Sequence, residues 1–174
     1  NNESLSWIYS QKYDFNNSYG YISSAYIRKI NDAKTTTSSD IQSFLNKASL
    51  SLSGSYVYGI SAQTNIDTYK KRLESIDSSM KIEINTNGHS NSNSYIATDM
   101  ILKITSSSGE TASYTIIIKG DVNGDGYISS RDYNSIKYHI TGEKTLSGTF
   151  LKVADVNGDG YISSRDYNAI KYHI

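Results

Sequence analysis

Residues 121–140 read DVNGDGYISSRDYNSIKYHI and residues 155–174 read DVNGDGYISSRDYNAIKYHI, so the chain carries the same twenty letters twice with one change, Ser135 against Ala169. Each copy opens with the D-x-N-x-D-G spacing of a calcium loop and closes in a short amphipathic segment. Calcium is a hard cation that takes about six to eight oxygen ligands, and a twelve-residue loop can wrap it. In the first loop Asp121, Asn123 and Asp125 stand at positions 1, 3 and 5, Tyr127 offers its carbonyl at position 7, Ser129 acts through water at position 9, and Asp132 closes at position 12. Gly126 takes the sharp turn at position 6. The second loop repeats the set with Asp155, Asn157, Asp159, Tyr161, Ser163 and Asp166, around Gly160. Turn chemistry alone also favours Asn, Asp and Gly, but it does not ask for acids at positions 1, 5 and 12 twice over. The expected cofactor is therefore two calcium ions. Aspartate at position 12, where glutamate is usual, is a shorter arm that must draw the following helix nearer, which suits a compact structural site better than a sensor.

A helical stripe follows each loop. Tyr133, Ile136 and Ile140 fall at i, i+3 and i+7, and Tyr167, Ile170 and Ile174 repeat them. Asp132 and Asp166 lie in the first helical turn, and Lys137, Lys171, His139 and His173 lie late, each where its charge suits the helix dipole. The stripes predict two helices packed on each other, with His139 and His173 as helix-end or surface residues rather than ligands.

This arrangement resembles a dockerin, the calcium-binding module that plugs secreted bacterial proteins into cohesin domains. The resemblance covers about residues 119–174, with LSGTFLKVA (residues 146–154) as the candidate middle helix between the copies. It implies that loop positions 10 and 11 and helix positions 17 and 18 face the cohesin: Ser130, Arg131, Lys137 and Tyr138 in the first copy, Ser164, Arg165, Lys171 and Tyr172 in the second. Two nearly identical copies present almost the same surface after a half turn, so a partner can dock on either, the dual binding mode for which the family is known. Without the family context, the arginines and lysines read as an ordinary solvated helix face.

Upstream, SYVYGI is a β-rich run, TNIDTYKKRLESI reads as a helix opened by Thr64 or Asn65, and MKIEINT alternates apolar and polar residues. TDMILKITSSSGETASYTIIIKG reads as a hairpin turning between Thr105 and Tyr114. These make a small mixed module of about four strands over residues 50–118, feeding without a flexible spacer into Gly120 and Asp121. The stretch from Tyr58 through Thr98, Asp99 and Met100 to Ile118 and Gly120 is similar to the X-type or Ig-like accessory modules that precede dockerins. That setting implies a neighbour that stabilises the dockerin and sometimes touches the cohesin; a plain structural spacer is the alternative. The expected fold class is thus α+β: a small strand-rich mixed module followed by an all-α dockerin.

Residues 1–49 carry helix-like periods in SLSWIYSQKYDF, GYISSAYIRKIND and SSDIQSFLNKA, the last capped by Ser39 or Asp40, and read as a helical segment or the tail of an upstream domain. Asp14, Asn16 and Ser18 imitate loop positions 1, 3 and 5, but Tyr19 is an insertion and Tyr26 replaces the closing acid, which argues against a third calcium.

Composition narrows the function classes. Lys plus Arg and Asp plus Glu both count 17, so no net charge draws the chain to nucleic acid or an anionic membrane. No apolar run reaches transmembrane length and no signal peptide stands at Asn1, as in a mature or excised fragment. Cysteine is absent, so metal takes the stapling role in the C-terminal module. The Asn, Ser, Tyr, Ile and Lys bias, with no proline, suggests a low-GC Gram-positive source. Before residue 120 there is one histidine, His89, in a polar loop, and no catalytic motif, so the expectation is not an enzyme; acids such as Asp77 and Glu83 read as solvated surface. The function expected is a secreted, calcium-dependent adaptor that binds a cohesin and anchors its chain to an extracellular or cell-surface complex. Its rivals are a calcium-stabilised structural cap, and carbohydrate binding by the strand-rich module with Trp7 and tyrosines as stacking platforms.

Overall fold

A computed structural model of the chain describes residues 38–88 and 94–171. Trp7, the imitation loop at Asp14–Tyr26, His89, Tyr172, His173 and Ile174 lie outside them. The first helix, α1 (Ser39–Lys47), is capped by Ser38, whose side chain accepts the Ile41 N–H. The hairpin β1 (Ser51–Ser53) and β2 (Tyr56–Tyr58) follows, and then α2 (Ile66–Ile76), capped by Asn65, which accepts the Thr68 N–H. Next come β3 (Lys81–Asn85), β4 (Ile101–Thr105) and β5 (Thr111–Ile116), then α3 (Ser130–Thr141), α4 (Gly148–Ala154) and α5 (Ser164–Lys171).

The strands form one sheet in the order β1-β2-β5-β4-β3, antiparallel except for the parallel β2–β5 pair. Side chains alternate across it. Ile82, Ile104 and Ala112 lie in one register row and Ile84, Leu102 and Tyr114 in the next, and both rows join Ile41, Phe44 and Leu45 of α1 and Tyr69 and Leu73 of α2 in the first core. The opposite face carries polar rows, where Glu83 sits 3.1 Å from Lys81 and 3.2 Å from Lys103.

At the β2–β5 seam both faces are apolar. Val57, Ile116 and Ile118 enter the first core, while Tyr56, Tyr58 and Ile117 enter a second one with Val122, Ile136, Val153, Ala154 and Ile170. The run Ile116-Ile117-Ile118 thus feeds two cores by simple alternation. In the second core α3 packs on α5, with the Tyr133 and Tyr167 rings edge-on at 4.9 Å.

This corrects the expected architecture. A strand-rich module followed by an all-α dockerin is not what forms; five strands and five helices across residues 39–171 make a mixed α/β arrangement, of which residues 119–174 are only the C-terminal part. Residues 38–171 belong to one compact unit, because the sheet's own side-chain alternation supplies a wall to the C-terminal helices. The helix in SSDIQSFLNKA shares its core with the strands. The stripe is corrected as well: Ile136 and Ile170 are buried, but Ile140, in the last turn before the left-handed Gly142, is exposed. Truncation of Ile117 tests the shared wall. Ile117→Ala should cost about 2–5 kcal/mol in urea unfolding and destabilise the sheet and the C-terminal helices in one transition.

Candidate metal centre and exposed helix faces

Each loop is organised by its first and last acid. Asp132 is fully buried; one oxygen accepts the Val122 N–H (2.8 Å) and the Asn123 N–H (3.2 Å), and the other accepts the Ser129 N–H (2.8 Å). It ties the two ends of the loop together and completes a capping box with Ser129, whose hydroxyl oxygen accepts the Arg131 N–H at 3.1 Å. Asp166 repeats this by accepting the Asn157 N–H (3.1 Å) and the Ser163 N–H (2.8 Å). The Asn123 side-chain oxygen accepts the Asp125 N–H at 2.9 Å, and Asn157 takes the Asp159 N–H at 2.7 Å. Asp125 and Asp159 in turn accept the N–H groups of Tyr127 (2.9 Å) and Tyr161 (3.0 Å).

The environments of the two loops differ. Asp121 is fully buried and accepts the Asp125 N–H (3.1 Å) and the Gly126 N–H (3.3 Å) from its own loop, and also the Thr98 N–H at 2.8 Å from the sheet side. Thr98 is itself buried, and its hydroxyl lies 3.2 Å from both the N and the O of Ile118. Gln63 donates its N–H to the Gly126 carbonyl at 2.8 Å, and the Tyr95 ring meets the Tyr127 ring edge-on at 5.2 Å. Asp155 is half-buried and accepts loop N–H groups, from Gly158 at 2.8 Å and Gly160 at 3.0 Å; Tyr161 is 77 % exposed.

Burial pushes the Asp121 carboxyl up to about 6; the Thr98 N–H pulls against this, while the nearby Asp132 and Asp125 carboxylates add to it. Burial also raises Asp132, against the pull of the N–H groups it accepts. No group of three or more acid or histidine side chains among the described residues stands ready to hold a metal ion; the loop carboxylates are turned onto backbone N–H groups. The donors nevertheless fit calcium in kind, being hard oxygens, and Asp121, raised by the neighbouring Asp132 and Asp125 carboxylates, stands in an anionic cluster that a cation would relieve.

The residues expected to face a partner are Ser130, Arg131, Lys137, Tyr138, Ser164, Arg165 and Lys171, and all are exposed. Arg131 and Arg165 lie 3.7 Å from Asp125 and Asp159, weak ion pairs at the surface. His139 accepts the Leu146 N–H on Nδ1 at 3.1 Å, a structural role at the helix end. Sequence reasoning missed Gln63 and Tyr95, and it had no signal for them, because they act through a backbone N–H and a ring contact. No helix among the described residues is long and apolar enough to cross a membrane.

The C-terminal segment is thus two loop-helix units joined by a short helix. Residues 119–174 match the family model of the dockerin type I domain. Dockerins bind calcium and cohesin domains and are non-catalytic modules of proteins that are usually extracellular. No curated protein matches the chain, and no solved structure does.

The raised Asp121 has a pH signature. Its folded value of about 6 exceeds the ordinary 3.8, so with calcium chelated the folded state binds the extra proton. This group's contribution is fully present below about pH 4 and is lost as pH rises through 6. In EDTA, Tm should fall from about pH 4.5 to about pH 7 more steeply in the wild type than in Asp121→Asn. In excess calcium the trend should reverse, since protons compete with the metal.

Proposed function

We propose that residues 119–174 hold two calcium ions and dock on a cohesin domain, making this chain a calcium-dependent adaptor that anchors a secreted bacterial protein to an extracellular or cell-surface complex. The observation that carries the reading is the pairing of two acid-closed loops with two matching exposed helix faces. In this reading Asp121, Asn123, Asp125, Tyr127, Ser129 and Asp132 hold one ion, and Asp155, Asn157, Asp159, Tyr161, Ser163 and Asp166 hold the other. Bound calcium supplies positive charge between carboxylates that otherwise rest on loop N–H groups. The closing acids Asp132 and Asp166 join loop to helix, so ligand order becomes helix order.

Ser130, Arg131, Lys137 and Tyr138 would then meet the cohesin in one orientation, and Ser164, Arg165, Lys171 and Tyr172 in the other. Exposure of Ser130, Arg131, Lys137 and Tyr138 in one copy and of Ser164, Arg165 and Lys171 in the other supports dual binding. In this assignment residues 50–118, with α1 packed into their core, are an X-type or Ig-like accessory module, and the rest of residues 1–49 is a helical segment or the tail of an upstream domain; the chain itself is not an enzyme, and its cargo serves polysaccharide degradation. A second reading, a calcium-stabilised structural cap, draws support from the docking of the first loop against the chain's own sheet. A cap, however, has no use for a repeated exposed face.

Calorimetric titration against a cohesin panel separates them. The adaptor should bind one cohesin in calcium, and should lose that binding in EDTA and in the Asp121→Ala/Asp155→Ala variant. Binding that persists in either condition overturns the coupled mechanism, and calcium-raised Tm without any cohesin binding favours the cap. Ser130→Ala/Arg131→Ala alone should leave measurable affinity through the second copy, whereas complete loss would refute dual binding.

A further inference from the structure

The two loops are spelled alike at every proposed ligand position, so any difference between them as metal sites must come from outside the loops. The structure supplies one. The first loop is pressed against a wall made by Gln63 and Tyr95–Thr98: Thr98 donates to Asp121, Gln63 donates to the Gly126 carbonyl, and Tyr95 covers Tyr127. The equivalent glycines measure the contact. A Cβ built on Gly126 would stand 2.8 Å from the Ile96 carbonyl oxygen and 3.1 Å from Tyr95 Cβ, while one on Gly160 would meet nothing within 4 Å. Both glycines have positive φ, 81° and 86°, so backbone strain is common to the pair and only the wall differs. Gln63 and the two residues that flank Tyr95–Thr98 are held in costly conformations, with Gln63 at φ 59°, Ser94 at 55° and Asp99 at 76°. Asp99 is fastened to the C-terminal segment by the Thr149 hydroxyl at 2.7 Å.

We propose that the two loops are unequal calcium sites: the walled first loop is the tighter and slower-releasing one, and Thr98 is its positioning residue. The inference rests on the calcium reading above. Ordering a free loop around an ion costs about 1–2 kcal/mol per residue fixed, and the first loop is already ordered by contacts the second lacks. An outer hydrogen bond to a ligating carboxylate orients it, and such partners commonly change metal affinity by about 10–100-fold. Burial also strengthens the attraction between carboxylates and cation. Release from the first site requires the loop to part from Ile96 and Tyr95; release from the second does not.

The test is calcium release from the whole chain, loaded with calcium alone and mixed rapidly with a fluorescent chelator. The wild type should release two ions in two phases of equal amplitude, with rates at least about tenfold apart. Gly126→Ala should abolish the slow phase and Gly160→Ala should change only the fast one. Tyr95→Ala, which leaves the loop's own residues unchanged, should speed the slow phase about tenfold and spare the fast one. A single phase carrying both ions, or the same phase altered by both glycine variants, overturns the inequality. Failure to take up any calcium is a different result and overturns the calcium reading itself.

Discussion

The hydrogen bond from the Thr98 N–H to the Asp121 carboxylate is the contact on which the C-terminal half depends. Asp121 opens the first loop, and Thr98 at the same time brackets Ile118 through its hydroxyl. Three residues, Thr98, Ile118 and Asp121, thereby fix where the chain leaves the sheet and where the loop begins. All three are buried, together with Ile96 and Ala97 beside them. An unpaired carboxylate in that position would cost several kcal/mol or take up a proton, so the loop and the sheet are joined through a group that neither can leave unsatisfied. The first core and the candidate metal centre meet at this contact.

Much of the site was legible in the letters. A closing acid at position 12 followed by an amphipathic segment can hardly be arranged except as loop and helix, and Asp132 and Asp166 sit at the joint as that pattern requires. The hairpin of β4 and β5 and the helix capped by Asn65 were equally plain, because alternation and capping are local. What escaped was non-local. Nothing in SLS marks it as the edge strand β1, since its pairing is specified by the turn at Gly54 and by β2. The run Ile116-Ile117-Ile118 reads as one buried strand; only the assembled sheet tells which side chain goes to which core. Ile140 fitted the helical period yet is 44 % exposed, because the helix ends one residue later, at Thr141, and leaves it nothing to pack on. The inequality of the loops was invisible in principle, as their letters agree.

That disagreement between identical sequence and unlike surroundings shapes the outer surface. The covered part of the first copy is its loop tip, while its helix face remains as open as that of the second, with Arg131 and Arg165 both about four-fifths exposed. Docking against the sheet therefore covers the loop tip of the first copy and spares the helix face that points outward. The exposed Tyr161, whose counterpart Tyr127 is packed against Tyr95, is where the two-fold likeness of the module fails most visibly.

The path of the backbone through β5 also decides how the chain bears force. β5 is the central strand, paired to β4 on one side and to β2 on the other, and it runs into the first loop within a few residues. Tension entering at the C-terminal module travels along this strand and meets its ladders end to end rather than one bond at a time. The parallel seam with β2 must then slide as a block before any residue of β5 is freed. A tether pulled at that end loads the hydrogen bonds that flank β5 in shear, the direction in which they resist together.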